Sequence, residues 1–244
     1  MPSWRSTLTT AGITDPRLRA DYTDAARRVL RREPAPYLAL RLLAAPALVP
    51  WLAAGLAFMN RVDDVAETGS ADRRAAGLKE LGTEVRRALE TGDSPDPLLR
   101  AYAHAVDSRG LPTDWVFRFL DGAATEEAVF DGCAAEEEFQ AYLDAYAWPG
   151  VLVFTGLQYQ GGPDAEQAAG WRRFVDAAQR VDFLDLTAPG LRAVAATMTE
   201  LMEHQLTAVE RAGAGALRKD VGYGFTAPLR TLVRARARRP RTAT

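Results

Sequence analysis

The sequence predicts an all-α protein, and three observations support this. Ala, Leu, Arg and Glu dominate the composition and favour helix in nearly every window of the chain. Glycine and proline interrupt the pattern at spacings that suit ordinary helices. No run of alternating β-branched residues is long enough for a convincing strand. The best candidate, residues 151–154, lies among Ala, Trp and Gly and is interpreted as buried helix.

Size and charge narrow the class of protein. The chain has 244 residues, of which 48% are hydrophobic, so it can bury a sizeable core as a single domain over residues 1–244. Charged residues make up 25%, but the net charge is only −2. This balance gives no general attraction to nucleic acid or to membrane surfaces, and no nucleic-acid partner is expected.

Cysteine and histidine are scarce. Cys133 is the only cysteine, which excludes an internal disulfide and fits a reducing cytoplasm. With two histidines in the whole chain, a Cys/His zinc site is not expected. A bound metal would therefore be held by oxygen atoms, and this indicates Mg²⁺.

Neither a signal peptide nor a membrane span is predicted. Residues 1–10 lack an apolar h-region. The longest apolar stretch, residues 38–59, contains Arg41, Pro46 and Pro50. Arginine is costly at a membrane centre and proline interrupts a helix, so this stretch is interpreted as two buried helices.

Prolines and glycines set the predicted helix boundaries. A helix should begin near Tyr37, and a later one near Trp115 should be capped by Thr113 or Asp114. Pro149 either kinks a helix or separates two helices. The remaining predicted helices cover residues 51–67, 71–91, 98–108, 164–184 and 191–212.

The strongest chemical signal is a group of acids. Asp63 and Glu67 are four residues apart, so they share one face of a helix, and Asp64 lies beside them. They follow a strongly apolar run, which favours a position at a pocket. Mg²⁺ prefers carboxylate oxygens together with substrate phosphates, so this pair suits a diphosphate held through Mg²⁺. The alternative is a helix end that emerges into solvent, and spacing alone leaves both readings open.

The stretch from Tyr37 to Glu67 resembles the opening of the squalene and phytoene synthases. In that family an apolar helix pair leads into a D-x-x-x-D motif, whose two acidic positions Asp63 and Glu67 would occupy. Three later stretches resemble the family in the same order. They are Phe119-Leu120-Asp121-Gly122 with Glu126, residues 142–156, and residues 179–184, where Gln179 and Asp182 resemble the start of the second acidic motif.

The resemblance implies an isoprenoid-synthase-like helical bundle with a central cavity. Two acidic motifs would hold Mg²⁺ ions that bridge an allylic prenyl diphosphate, and apolar walls would shield the cation that forms. Asp63 and Glu67 become the implied metal ligands. The implied catalytic residues are Asp63, Asp64, Glu67, Gln179 and Asp182. The implied substrate-binding residues are Tyr37, Arg41, Asn60, Arg61, Glu126, Tyr146, Trp148, Gly150 and Phe154.

The sequence departs from the family pattern in three places. The second acidic motif should follow Leu184 directly, but it is missing before Asp185. One hypothesis is that a loop of the intact protein is not represented between these residues, and a true deletion is the alternative. Asn60 stands where the family often has Arg. Trp148 stands where the family often has a small residue, and its bulk would shorten the cavity.

These departures lead to three functional hypotheses. The first is transfer of a short prenyl group, such as dimethylallyl or geranyl, to an aromatic acceptor such as a carbazole in bacterial secondary metabolism. The second is head-to-head condensation of two prenyl diphosphates. Two diphosphates need more cations, so the loss of Arg at position 60 favours the first. The third is a catalytically silent helical partner protein. The sequence does not indicate an oligomeric state.

Overall fold

The computed structural model describes residues 2–124, 141, 143–162 and 164–169, and the fold described below refers to these residues. This part of the chain is helical and contains no strand, which confirms the all-α prediction. The first seven helices are α1 (Trp4–Thr10), α2 (Pro16–Arg32), α3 (Pro34–Leu43), α4 (Val49–Glu67), α5 (Ala71–Thr91), α6 (Pro97–Arg109) and α7 (Thr113–Ala123). After the gap come a π-helical turn (Leu143–Ala147), α8 (Trp148–Thr155) and a 3₁₀ turn (Gly156–Gln158).

Several helix ends follow the expected chemistry. Prolines occupy the first turns of α2, α3, α4 and α6, where the missing N–H costs nothing. Asp96 caps α6 by accepting from the Leu98 N–H at 2.8 Å. Gly92 ends α5 with a φ of 69°, in the left-handed region that glycine favours. The predicted cap of α7 is wrong, because this helix begins at Thr113 after Pro112 and has no side-chain cap.

Helix α4 lies at the centre of the described bundle and packs against α2, α5, α6 and α8. Its first three turns are buried almost all round, as their apolar composition requires. Aromatic rings connect it to its neighbours. Phe58 stacks on Tyr102 with ring centroids 3.9 Å apart, and Trp51 meets Tyr22 edge-on at 5.5 Å. Polar residues appear only in its last turns, which places them at the end of the core.

A buried ion pair fixes α2 against α6. Arg100 donates from Nε and Nη2 to the two carboxylate oxygens of Asp21, each at 2.7 Å. Both side chains are buried, and the bidentate geometry satisfies the carboxylate. The pair sets how α2 lies across the bundle, and therefore where its arginine-rich end meets α4.

The π-helical turn is built by close packing on α7. A Cβ at Gly122 would lie 1.8 Å from the Ala145 carbonyl oxygen, so only glycine allows this approach. Pro149 has no N–H to donate to the Ala145 carbonyl, which is consistent with the altered hydrogen-bonding pattern. The chain is nevertheless helical throughout residues 143–155, so Pro149 neither breaks the helix nor separates two helices.

Helix α8 and the 3₁₀ turn pack onto α4, where a Cβ at Gly55 would lie 3.5 Å from Phe154 Cδ2 and 2.8 Å from Leu157 Cδ1. The run 151–154 lies within α8, which confirms its interpretation as helix. Arg109 holds the following turn by donating to the Leu157 and Gln158 carbonyls, each at 3.0 Å.

The predicted helix at 71–91 has the bounds of α5. Residues 165–169 are helical, while the rest of the predicted helix 164–184 and the helix 191–212 fall outside the described residues. The junction of Leu184 and Asp185 also lies outside them. None of the helices that the structure describes combines the length and hydropathy needed to cross a membrane.

Candidate active site

Asp63 is the centre of the candidate site. It lies near the end of α4, is half-buried, and accepts a hydrogen bond at Oδ1 from the Tyr146 hydroxyl group. Tyr146 itself is buried, and its ring stacks on Phe119 with centroids 5.1 Å apart and planes 11° from parallel. The first acidic motif and the pocket helix of residues 142–156, predicted separately, are therefore joined by a direct contact.

The surroundings of Asp63 leave its charge poorly compensated. Burial raises the pKa of its carboxyl group, while the Tyr146 hydroxyl and the Arg32 guanidinium act in the opposite direction. The neighbouring Asp64 carboxylate adds to the rise. A half-buried carboxyl group with a raised pKa gains when a cation approaches, which is the property expected of a metal ligand.

Asp64 is more exposed than Asp63 and has a different partner. Its carboxylate forms an ion pair with the Arg32 guanidinium of α2, and 53% of its side chain is exposed. Glu67 is exposed at the last residue of α4, one turn beyond Asp63. Asp63 and Glu67 thus lie at successive turns of α4, the first half-buried and the second at the surface, while Asp64 faces α2.

Glu33 is a site residue that sequence reasoning missed. It is half-buried at the junction of α2 and α3, and burial raises the pKa of its carboxyl group. Asn60 and Arg32 lower that pKa, and Asp63 raises it, so all three lie nearby. The only sequence signal was the charged run Arg31-Arg32-Glu33 directly before Pro34, at a helix junction.

Asn60 is buried on α4, with 9% of its surface exposed. Its Nδ2 group is close enough to Glu33 to influence that residue's pKa. It nevertheless has no acceptor in hydrogen-bond geometry among the residues that the structure describes.

Two other predicted binding residues lie in different surroundings. Arg41 is buried and donates to Thr7 Oγ1 at 3.0 Å and to the Pro2 carbonyl at 2.9 Å. Its guanidinium also lies 5.4 Å from the ring centre of Trp4, so it holds α1 against the bundle. Tyr37 is half-buried, and its ring packs on a small apolar cluster beneath the α2–α4 contact.

The remaining described wall residues divide into two groups. Gly150 faces Phe119, whose ring would lie 3.1 Å from a Cβ there, and Phe154 packs near Gly55 of α4. Trp148 and Trp115 instead line a separate hollow of about 410 Å³, and neither Asp63 nor Tyr146 is among its described lining residues.

Arg61 is exposed and lines a groove between α2 and α4. Glu126, Gln179 and Asp182 lie outside the described residues.

Two carboxylates among the described residues have the donor chemistry of a metal site. Within the ranges given above, no three His, Cys, Asp or Glu side chains lie close enough together to hold an ion by themselves. Mg²⁺ is often bound by one or two carboxylates, with water and substrate phosphates completing the shell. Asp63 and Glu67 fit that donor chemistry.

Comparison with known proteins gives a family for the chain. The pattern that defines squalene/phytoene synthases matches residues 30–185, more than half of the sequence. The matched region includes Glu33, Asn60, Asp63 and Tyr146, the residues that meet in the site. No curated protein matches the chain. The protein belongs to the squalene/phytoene synthase family.

Proposed function

We propose that this protein is a Mg²⁺-dependent prenyltransferase that transfers a short allylic group from its diphosphate to an aromatic small molecule such as a carbazole. The family uses prenyl diphosphates and is typically dependent on a divalent metal. The observation that carries the proposal is Asp63, a half-buried carboxyl group with a raised pKa, held by the Tyr146 hydroxyl. We further propose that residues 1–244 form a single domain.

The chain's own residues have distinct roles in this proposal. Asp63 and Glu67 hold the metal, and Tyr146 orients the Asp63 carboxylate through its hydrogen bond. A bound Mg²⁺ would neutralise the charge that develops on the departing diphosphate. The aromatic rings of Tyr146 and Phe119 supply an apolar wall that keeps water from the allylic cation. Gln179 and Asp182 remain proposed partners in the second motif.

The charges around Asp63 favour one diphosphate over two. Head-to-head condensation holds two diphosphates at once, which requires additional cations. At Asn60 the chain has a neutral amide, and beside it Glu33 contributes another acidic group. A carboxylate at this position repels a second diphosphate, whereas it can accept a hydrogen bond from an N–H or O–H group of an aromatic acceptor. We therefore prefer the aromatic acceptor.

The test is a product analysis with the full-length protein. Purified protein is incubated with Mg²⁺ and dimethylallyl, geranyl or farnesyl diphosphate, with and without carbazole or indole, and products are identified by mass spectrometry. We expect one prenyl group on the aromatic ring and one diphosphate released per product. Asp72→Asn, a substitution at an exposed residue of α5, is the matched control for Asp63→Asn.

Two other outcomes would replace the proposal. A hydrocarbon or a cyclopropyl diphosphate built from two donors, formed without any acceptor, would return the protein to head-to-head chemistry. Absence of diphosphate release with every donor, in protein shown to be folded by its thermal transition, would indicate the catalytically silent partner protein.

A further inference from the structure

A pocket of about 310 Å³ lies at the end of the described bundle that is remote from Asp63. It is bounded by the end of α1, the start of α4 and the end of α6, and its lining includes Trp51, His104 and Arg109. Because each helical residue rises about 1.5 Å, Trp51 and Asp63 of α4 are about 18 Å apart along the helix axis. None of the described lining residues belongs to the candidate active site.

Arg109 gives the pocket a positive charge that no described carboxylate pairs with. Its Nε and Nη2 groups donate to the Leu157 and Gln158 carbonyls, each at 3.0 Å, and Nη1 donates to Gln160 Oε1 at 2.7 Å. These acceptors are neutral, so they fix the guanidinium group in place without compensating its charge. Burial accordingly lowers the pKa of Arg109. A guanidinium group has five N–H donors, so one on each terminal nitrogen is left for a ligand.

His104 adds a hydrogen-bond donor to the same pocket. Its Nδ1 atom lies 3.0 Å from the hydroxyl oxygen of Tyr22, which is fully buried. Burial raises the pKa of Tyr22, so the hydroxyl group keeps its proton and donates it to Nδ1, its described partner. The imidazole, whose pKa is lowered by burial, therefore carries its single proton on Nε2, 3.4 Å from Ser108 Oγ. This separation is long for a hydrogen bond, so the Nε2 proton is available to a ligand.

Trp51 provides a rigid aromatic wall. Only 5% of its surface is exposed, and its ring stacks on that of His104 with centroids 5.6 Å apart. Tyr22 meets the same ring edge-on, so the indole is held from two sides. The indole N–H donates to no residue that the structure describes, which leaves it as a further donor.

The available groups in this pocket are donors, and none of its described lining residues is acidic. A ligand that only accepts hydrogen bonds suits such a lining, and a carboxylate is the common organic group of this kind. One guanidinium group balances one negative charge, so a monoanion fits the pocket better than a phosphate dianion. Trp51 and Ala47 offer apolar surface to the organic part of such a ligand.

We propose that this pocket binds a small organic acid, with its carboxylate on Arg109 and His104 and its apolar part against Trp51. The volume lies at the small end of the range for ligand pockets, which suits a compact acid. The guanidinium group is already fixed by its three hydrogen bonds, so binding does not need to order it. The site needs no metal ion and is independent of the transfer reaction.

The test is a calorimetric titration of the full-length protein with benzoate, in EDTA so that no metal contributes. Benzamide is the matched control ligand, because it has nearly the same shape without the charge. We expect saturable binding of one benzoate per chain, and binding of benzamide that is weaker by about tenfold or more. Asp63→Asn should retain the affinity for benzoate, so failure of the proposed transfer reaction leaves this site unaffected.

Thr10 allows a test that does not disturb the pocket wall. It is exposed at the end of α1 and lines the pocket. Thr10→Asp adds a negative charge, which should weaken benzoate binding by about threefold to tenfold at low salt and by less at high salt. Thr10→Asn has nearly the same shape without the charge and should bind like the parent protein.

Arg109→Gln removes the cation itself and should reduce the affinity for benzoate by about tenfold or more. Arg109 also holds the turn after α8, so thermal unfolding checks that this variant is folded, and the two Thr10 variants decide the question if it is not. The assignment is overturned by a lack of saturable benzoate binding, by equal affinity for benzoate and benzamide, or by equal benzoate affinity in Thr10→Asp and Thr10→Asn. Tighter binding of inorganic phosphate than of benzoate would likewise overturn it, since the ligand would not be an organic acid.

Discussion

Two adjacent residues of α4, Asp63 and Asp64, occupy opposite environments. Asp63 is half-buried, faces the π-helical turn and has a raised pKa that is caused first by burial. Asp64 is exposed and is neutralised by Arg32 of α2. Two neighbouring positions of one helix thus differ in how their charge is compensated, since the Asp63 carboxyl group is left to attract a cation and the Asp64 carboxylate is paired with an arginine.

The difference arises from what packs on each side. On the Asp63 side, Gly122 allows α7 to approach the π-helical turn, and this places Tyr146 against the carboxylate. On the Asp64 side, the Arg100–Asp21 pair fixes α2, so that its arginines face α4. Burial therefore raises the pKa of Asp63 on one side, whereas a surface ion pair neutralises Asp64 on the other. The two faces should respond to mutation by different amounts.

The largest effect is expected for Asp63→Asn. Loss of a proposed metal ligand should lower kcat by more than about a hundredfold, since even outer partners of ligands cost about 10–100-fold. The free energy of unfolding, in contrast, should increase at neutral pH. A carboxyl group whose pKa is raised by folding stabilises the protein below its unfolded pKa and loses that contribution as the pH rises through the folded value. The Asn variant should therefore unfold at a higher temperature than the parent at neutral pH, without metal.

That advantage should disappear in acid, where Asp63 is protonated in both states. Differential scanning calorimetry at several pH values, paired with a turnover assay, checks both parts. Asp72→Asn should leave turnover unchanged. Full turnover by Asp63→Asn would show that the cation-attracting face does not hold the catalytic metal.

The next largest effect is expected for Gly122→Ala. The new Cβ would lie 1.8 Å from the Ala145 carbonyl oxygen, which is backbone and cannot move alone. Overpacking of this kind typically costs about 1–3 kcal/mol, and the shift would also displace Tyr146. Gly82→Ala in α5 is the matched control, because nothing lies within 4 Å of its Cβ. It should gain up to about 1 kcal/mol from helix propensity. Urea unfolding of both variants measures the difference, and equal stabilities would contradict the close contact.

The sequence predicted correctly the features that neighbouring residues determine. Thr68-Gly69-Ser70 and Gly92 define α5, and both ends were predicted correctly. The spacing of Asp63 and Glu67 marked the acidic turn of α4, and the family pattern supplied the context. Thr113 shows the limit of such reasoning, since a residue of good capping type lies one position inside the helix.

The pairing of Asp63 with Tyr146 could not be predicted from the residues alone, because 83 positions separate them. Their contact depends on the packing of α7 against the π-helical turn, and no local pattern encodes that approach. Arg41 and Glu33 illustrate the same limit. The buried Arg41 is bound to α1, whereas Glu33, which carried no motif, lies beside Asn60 and Asp63.

A smaller effect is expected for Tyr146→Phe, which keeps the stacking on Phe119 and removes only the hydroxyl group. Loss of a partner that orients a metal-binding carboxylate should reduce kcat/KM by about tenfold. The hydroxyl lowers the pKa of Asp63, so its removal should move the acidic limb of the pH–rate profile to higher pH. Tyr102→Phe is the control. Its hydroxyl is buried without a hydrogen-bond partner among the described residues, so activity should be unchanged and stability equal or greater. An unshifted limb in Tyr146→Phe would show that the hydroxyl does not tune Asp63.

The smallest effect is expected for Arg32→Gln, which removes the partner of Asp64. Its ion pair with Asp64 is exposed, with 40% and 53% of the two side chains accessible, so its loss should change the free energy of unfolding by less than about 1 kcal/mol. Arg32 also lowers the pKa of Asp63, so its loss should move the acidic limb of the pH–rate profile to higher pH, by less than Tyr146→Phe does. Asp64→Asn is the matched variant, because the Asp64 carboxylate raises the pKa of Asp63 and its removal should move the limb to lower pH. Shifts of opposite sign in the two variants would show that both charges act on Asp63. An acidic limb that is unshifted in both would show that neither does.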